Sequence, residues 1–206
     1  MTENPRPASA KAQLRRELLA ARRALSPETC RTAATALAVT ALELPELADA
    51  RTVAAYVSVG TEPGTRALLD ALRAAGKRVL LPLLLPDNDL DWAAYEGPGS
   101  LAEAAHPGKM RLLEPTGAAL GPDAVTAADA VLLPGLAVDG RGMRLGRGGG
   151  SYDRVLERLD RAGADPALVV LLYDDEVVAR VPEEPHDHPV QAVATPSGVV
   201  RFTASA

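Results

Sequence analysis

The sequence predicts a single α/β domain built on a largely parallel central sheet flanked by helices. Three observations predict it. Short runs rich in Val, Ala and Leu alternate with amphipathic helical stretches. The first alternation, strand Thr52–Ser58, helix Thr65–Ala75, strand Arg78–Leu84, covers about thirty residues, the length of a parallel pair joined by a right-handed crossover. No repeat, long linker or low-complexity block interrupts the 206 residues, a length that fits one domain.

Residues 1–9 are polar and Pro-containing, and are expected as a disordered N-terminal tail. That leaves 10–206 as one domain. Lys11 to Leu25 read as an amphipathic helix, with Leu14, Leu18, Leu19 and Leu25 near helical spacing. Ser26-Pro27-Glu28 starts a second helix: Ser26 caps, Pro27 suits the first turn, and Glu28 meets the helix dipole. This Ala-rich helix runs to about Glu43, with Pro45 just beyond it. After the β-α-β unit, Asp87-Asn88-Asp89 reads as a turn and Leu90–Tyr95 as a short strand. Residues 97–109 read as irregular. Ala130–Leu133 is an apolar strand, and an amphipathic helix is expected from Gly150 to Arg161 with Val155, Leu156 and Leu159 inward. Ala167–Tyr173 is a further strand. Ala192–Thr195 and Val199–Phe202 read as a hairpin around Pro196-Ser197-Gly198. In such sheets ligands bind beyond the carboxyl ends of the strands, which directs attention to the loops after Ser58, Leu133 and Tyr173.

The net charge of −5 lacks the basic excess of a general nucleic-acid binder. The one cysteine, Cys30, permits no internal disulfide and fits a reducing, cytoplasmic setting. It lies in a helical stretch and reads as a small buried apolar residue. The N-terminal segment lacks the apolar core of a signal peptide, and the apolar run Val79–Leu85 is too short to span a bilayer. No nucleic-acid or membrane partner is expected.

The segment with the most chemistry is Gly140 to Asp153. Glycines 146, 148, 149 and 150 let backbone N–H groups approach an anion, and the loop opens a helix whose N-terminus adds donors. Arg144 and Arg147 can each donate several hydrogen bonds to phosphate oxygens. Asp153 follows at once, where a carboxylate can hold Mg²⁺ beside those phosphates. This is not the Walker loop, because no Gly-Lys-Ser/Thr follows. It is not the dinucleotide fingerprint either, because Ser151 stands at the third glycine position. A bare triple glycine would read as a flexible surface loop; the flanking arginines, the acid and the helix start favour a phosphate cradle.

Other motifs are weaker singly. Lys11 and Arg15 share one helical face, which suits a polyphosphate or plain solvent. Glu62 sits in a strand-to-helix loop; on spacing alone it is a helix-preceding acid, with Thr65 as the cap. His186 and His188, between Pro185 and Pro189, read as a solvated loop, whereas Asp187 is an oxygen donor suited to Mg²⁺.

In their order these motifs resemble the 5-formyltetrahydrofolate cyclo-ligase (methenyltetrahydrofolate synthetase) family. The resemblance rests on Lys11-x-x-x-Arg15, Tyr56-x-Ser-x-x-x-Glu62-x-x-Thr65, Leu133-Pro-Gly-Leu-Ala-Val-Asp139, Arg144-Leu-Gly-Arg-Gly-Gly-Gly-Ser-Tyr-Asp153 and Glu184-Pro-His-Asp187, and covers Lys11 to Phe202. It implies a Rossmann-like open sheet with N-terminal helices. It also implies conversion of 5-formyltetrahydrofolate, ATP and Mg²⁺ to 5,10-methenyltetrahydrofolate, ADP and phosphate, by phosphorylation of the formyl oxygen and ring closure by N10. By resemblance Lys11, Arg15 and the loop Arg144, Leu145, Gly146, Arg147, Gly148, Gly149, Gly150, Ser151 and Tyr152 bind ATP. Val57, Glu62 and the Arg147–Ser151 part of the loop contact folate, Asp153 and Asp187 hold magnesium, and Arg147 is the catalytic donor. A monomer is implied, with a dimer as the alternative. Two departures stand out: relatives often carry a second aromatic at Ser151, and many carry an acid near Gln191. Trp92 reads equally as core or as a substrate wall. The rival readings are a sugar-phosphate isomerase-like enzyme that needs no nucleotide, and a folate- or nucleotide-binding relative without turnover.

Overall fold

The computed structural model describes residues 7–107, 111–185 and 187–202. Helix α1 (Pro7–Ala24) starts ahead of the expected Lys11, so residues 7–9 form its first turn. Residues 1–6, and with them most of the expected tail, lie outside the described residues. Helix α2 (Pro27–Leu42) begins as read, with the Ser26 side chain accepting from Thr29 N–H. Pro45 does more than end it: it opens a one-turn helix, α3 (Pro45–Ala48).

Strand β1 (Thr52–Ala54) is shorter than the expected Thr52–Ser58. Ala55 N–H still bonds to Leu80 C=O at 2.8 Å, and beyond it the chain leaves the sheet at its carboxyl edge. Helix α4 (Arg66–Ala74) follows, then β2 (Arg78–Leu84) and β3 (Leu90–Ala94). Thr65 stands at the cap position of α4 without capping it. Its hydroxyl donates to Tyr56 C=O at 2.8 Å and accepts from Ser58 N–H at 2.9 Å, which ties the loop to itself.

The stretch 97–109, expected to be irregular, contains a 3-10 turn and β4 (Leu101–Ala104), which pairs antiparallel with β5 (Leu112–Pro115). Gly97, Pro98 and Pro107 punctuate the segment, and its order comes from the partner strand rather than from local pattern. Then come β6 (Ala130–Pro134), β7 (Ala137–Asp139), β8 (Arg144–Leu145), α5 (Ser151–Ala162), β9 (Ala167–Leu171), β10 (Val177–Val178), β11 (Ala192–Thr195) and β12 (Gly198–Arg201).

The main sheet has the order β12-β11-β9-β6-β1-β2-β3. Its five inner strands are parallel; β3 and β12 close the two edges antiparallel. Strand alternation fills both faces. Val53, Leu81, Leu132, Val169 and Ala194 pack with α2, α3 and α4, while Ala54, Leu80, Val131, Val170 and Val193 pack with α5. Trp92 is fully buried in the second layer, which settles it as core. From β1 the chain runs one way to β2 and the other way to β6, so the strand order reverses between β1 and β6. A crevice forms at such a switch point.

A small sheet, β10-β7-β8, lies beside this crevice, and α1 packs Leu14, Leu18 and Leu19 onto it. A buried ion pair fixes α1 there. Arg22 donates to both Glu176 oxygens at 2.6 and 2.8 Å and to Gly135 C=O at 2.6 Å. Glu176 in turn accepts from Tyr173 N–H at 2.9 Å. Burial works to lower the Arg22 pKa, but the bonds to Glu176 and its charge outweigh that and raise it. A side chain at Gly135 would put its Cβ 2.8 Å from Val170 Cγ2, so only glycine lets the chain turn against β9.

Candidate active site

A cavity of about 580 Å³ opens at the switch point. Three loops from the carboxyl edge build it. Tyr56, Val57, Val59 and Glu62 come from the β1–α4 loop, and Pro134 from the end of β6. Gly146 to Asp153, with Arg144, come from the segment joining β8 to α5. The β2 side supplies Pro82, Leu84, Asn88 and Leu90, and β5 supplies Leu112, Leu113 and Glu114. One end is therefore backbone amide and guanidinium, and the other is mostly hydrocarbon.

The glycine loop has the geometry its composition suggests. Gly148 and Gly150 have φ of 91° and 78°, in the left-handed region. Gly150 is the N-cap of α5, no side chain among the described residues caps that terminus, and Gly150 to Asp153 line the cavity. Arg15 reaches across from α1, its Nε donating to Gly146 C=O at 2.9 Å. The Lys11–Arg15 face is thus docked on the loop side rather than left in solvent.

Arg144 is nearly enclosed, with 7% of its side chain exposed. It donates to Pro134 C=O at 2.9 Å and lies 3.6 Å from Asp153, while its Nε has no partner among the described residues. Burial pulls its pKa down, and the charge of Asp153 opposes that pull. A guanidinium held this way gains from an added anion. Arg147 is more open and meets Glu62 at 3.4 Å. Glu62 is buried, and its Oε2 accepts from Val59 N–H at 2.8 Å. Burial holds its carboxyl above the usual range, although Val59 N–H and Arg147 pull it back. Burial likewise raises the phenols of Tyr56 and Tyr152, which stay neutral.

Of the residues singled out from the sequence, Val57, Glu62, Arg144, Gly146, Arg147, Gly148, Gly149, Gly150, Ser151, Tyr152 and Asp153 share the cavity wall. Leu145 does not; its side chain is buried under α1 with Leu136. Lys11 and Asp187 are brought together, but on each other. Lys11 Nζ lies 2.6 Å from Asp187 Oδ2 and 2.7 Å from Glu184 Oε2. Burial works against this ammonium, yet the two carboxylates win and raise its pKa. His186 lies outside the described residues, and His188 faces Asp160 at 3.5 Å, away from the cavity. Gln191 stitches β9, its Oε1 accepting from Leu168 N–H at 2.7 Å, and is no wall residue. Among the described residues no group of three His, Cys, Asp or Glu side chains forms a ready-made metal cluster, and no helix is long and apolar enough to cross a membrane.

A family model, 5-formyltetrahydrofolate cyclo-ligase, matches residues 7–196. The chain belongs to this family. It is an enzyme of the cyclo-ligase type on that ground. A 5-formyltetrahydrofolate cyclo-ligase of Mycolicibacterium smegmatis is 44% identical over 156 residues, 73% of this chain and 76% of the relative. One from Escherichia coli K12 is 33% identical over 180 residues, 86% of this chain and 96% of the relative. Among solved structures, the 5,10-methenyltetrahydrofolate synthetase of Aquifex aeolicus superposes with a TM-score of 0.76 at 27% identity, covering 95% of this chain and 94% of that one. These matches agree with the α/β fold and with the family named by the ordered motifs.

The sequence missed three features of the site. Tyr56 had no assigned role, and the β5 wall, Leu112 to Glu114, fell next to a stretch read as irregular. The Arg22–Glu176 pair, separated by 154 positions, has no local signal at all.

Proposed function

We propose that this chain converts 5-formyltetrahydrofolate, ATP and Mg²⁺ to 5,10-methenyltetrahydrofolate, ADP and phosphate. One observation carries the reading: a single cavity of about 580 Å³ joins an arginine- and glycine-lined end to an apolar wall. A single-phosphate isomerase has no use for that second half. A reducing, cytoplasmic setting fits the half-buried Cys30.

An N-formyl group is a poor electrophile, because the nitrogen lone pair is delocalised into the carbonyl. Transfer of the γ-phosphoryl group to the formyl oxygen makes that oxygen a leaving group. N10 then attacks the formyl carbon and releases its proton to solvent, the carbon–oxygen bond breaks, and phosphate departs as the ring closes. The protein has little covalent work; it aligns the partners and meets the charge that moves. The α5 amides, Gly148–Gly150 and Arg144 hold the phosphates. Arg15 steadies the loop through Gly146. Arg147, the more exposed donor of the loop, meets the charge on the transferred group. Val57 and Glu62 hold the folate, with Tyr152 between folate and phosphates.

Magnesium fits this donor set as a passenger on the nucleotide. The ion commonly takes one or two protein carboxylates and fills its octahedron with phosphate oxygens and water. Asp153, with 54% of its side chain exposed at the cavity edge, and Asp187 are the carboxylates for it. When bound, it neutralises phosphate charge. Asp187 already holds Lys11, so the two cations would share that carboxylate, and Lys11 gains phosphate oxygens as partners.

The test mixes purified protein with 5-formyltetrahydrofolate and follows methenyl product with and without Mg·ATP. Product only with Mg·ATP supports the reading. Product without nucleotide, or none under either condition, overturns it.

A further inference from the structure

Besides Glu62 and Asp153, the cavity has a third carboxylate, at its apolar end. Glu114 lines it from β5, with 14% of its side chain exposed. One oxygen is fixed: Oε1 accepts from Leu84 N–H at 3.0 Å and meets His106 Nε2 at 2.8 Å. Among the described residues Oε2 has no hydrogen-bond partner, and it is not one of the sealed, unsatisfied atoms. The surface beside it is Pro82, Leu84, Leu90, Leu112 and Leu113.

Glu114 thus lines the cavity and keeps one oxygen that neither Leu84 nor His106 uses. Once a ligand excludes water from this wall, a bare carboxylate oxygen among hydrocarbon is costly unless the ligand donates to it. The wall thus asks for a flat, apolar-faced group with N–H donors on its edge.

We infer that Glu114 is a specificity-determining residue, its Oε2 accepting hydrogen bonds from the N–H edge of the substrate's heterocycle. This rests on the folate reading above, since the reduced pterin carries its 2-amino group and N3–H side by side on one edge. It also sets the substrate's direction. Glu114 repels the glutamyl carboxylates, so the pterin lies toward β2 and the tail points away from β5. Glu62, one strand over above β1, serves a different part of the same ligand.

Glu114→Gln tests it. The amide oxygen stays on Leu84 N–H, because turning the amide would set its NH₂ group against that donor. The NH₂ group then occupies the Oε2 position and faces the ligand's donors. Binding of 5-formyltetrahydrofolate, measured directly by calorimetry without ATP, should weaken on the order of 10- to 100-fold. The KM for ATP and the melting temperature should stay near wild type. The decisive comparison is a cycle with a 2-desamino-2-methyl analogue of the same folate. If Glu114 reads the donor edge, the substitution and the lost amino group will not be additive. Additive losses, or unchanged folate binding with a lowered melting temperature, assign Glu114 to holding β5 on β2 and overturn the inference. Wild-type protein that binds no 5-formyltetrahydrofolate would instead overturn the folate reading itself.

Discussion

Replacing Arg147 with Ala separates chemistry from folding. The side chain is 40% exposed, and its described protein contact is the 3.4 Å approach to Glu62. A long contact of this kind, with its Arg147 end open to solvent, contributes about 1 kcal/mol or less. The melting temperature should therefore move by no more than about 4 °C for a domain of this size. If the guanidinium follows the transferred phosphoryl group, the lost donor costs about 3–4 kcal/mol in the transition state, a roughly 100- to 1,000-fold fall in turnover. Absorbance of the methenyl product at saturating Mg·ATP, beside a thermal melt, measures both. A second signature comes from Glu62. Burial already holds its carboxyl above the usual range, and Arg147 is one of the groups pulling it back. Without Arg147 the pKa climbs further, so the acid limb of kcat/KM for folate should move to higher pH. The stability sign is the reverse of the usual carboxylate. Glu62 takes its proton more readily folded than unfolded, so its burial destabilises above its folded pKa and that cost fades as pH falls. The stability deficit of Arg147→Ala should then shrink in acid. A well-folded variant with turnover within about threefold of wild type would remove Arg147 from the chemistry.

Three further outcomes follow from the geometry. Glu176→Ala strands the buried Arg22 charge and should cost about 3–5 kcal/mol in urea melts, whereas Arg22→Met with Glu176→Leu should recover much of it. Asp139 is buried and accepts from the backbone N–H groups of Arg141, Met143 and Val181 at 2.9, 3.2 and 3.0 Å. Asp139→Ala should cost at least about 3 kcal/mol by stranding those donors. Burial works to raise the Asp139 pKa, but its hydrogen bonds outweigh this and lower it. Its contribution is therefore present above the usual carboxylate pKa and lost as pH falls through the folded value, a loss that should be missing from the acid melt of the variant. Asp153→Asn, at a half-exposed site, should leave the melt near wild type and raise the KM for Mg·ATP by about tenfold or more, and an unchanged KM would take Asp153 out of the metal site.

The legible parts were those whose physics is local. Four glycines and two arginines ahead of a helix make a donor-rich loop wherever the chain puts them, because backbone N–H groups and guanidinium groups supply the donors. Ser26-Pro27-Glu28 starts its helix with no tertiary help. Alternating apolar runs gave the parallel core, because each buried strand needs both faces covered. The 101–104 and 112–115 hairpin was lost because a short strand is decided by its partner, and neither half carries a strong pattern alone.

The donor-rich glycine loop ahead of α5 was therefore legible in the sequence. What only tertiary structure decided is what stands opposite and behind it. Long-range packing set Glu114 and the leucine wall across from the loop, put Arg15 on Gly146, and turned Lys11 onto Asp187. It also sealed Arg22 against Glu176 and Gly135. These pairs lie far apart along the chain, and their energy depends on burial, which exists only after the sheet and helices have closed around them.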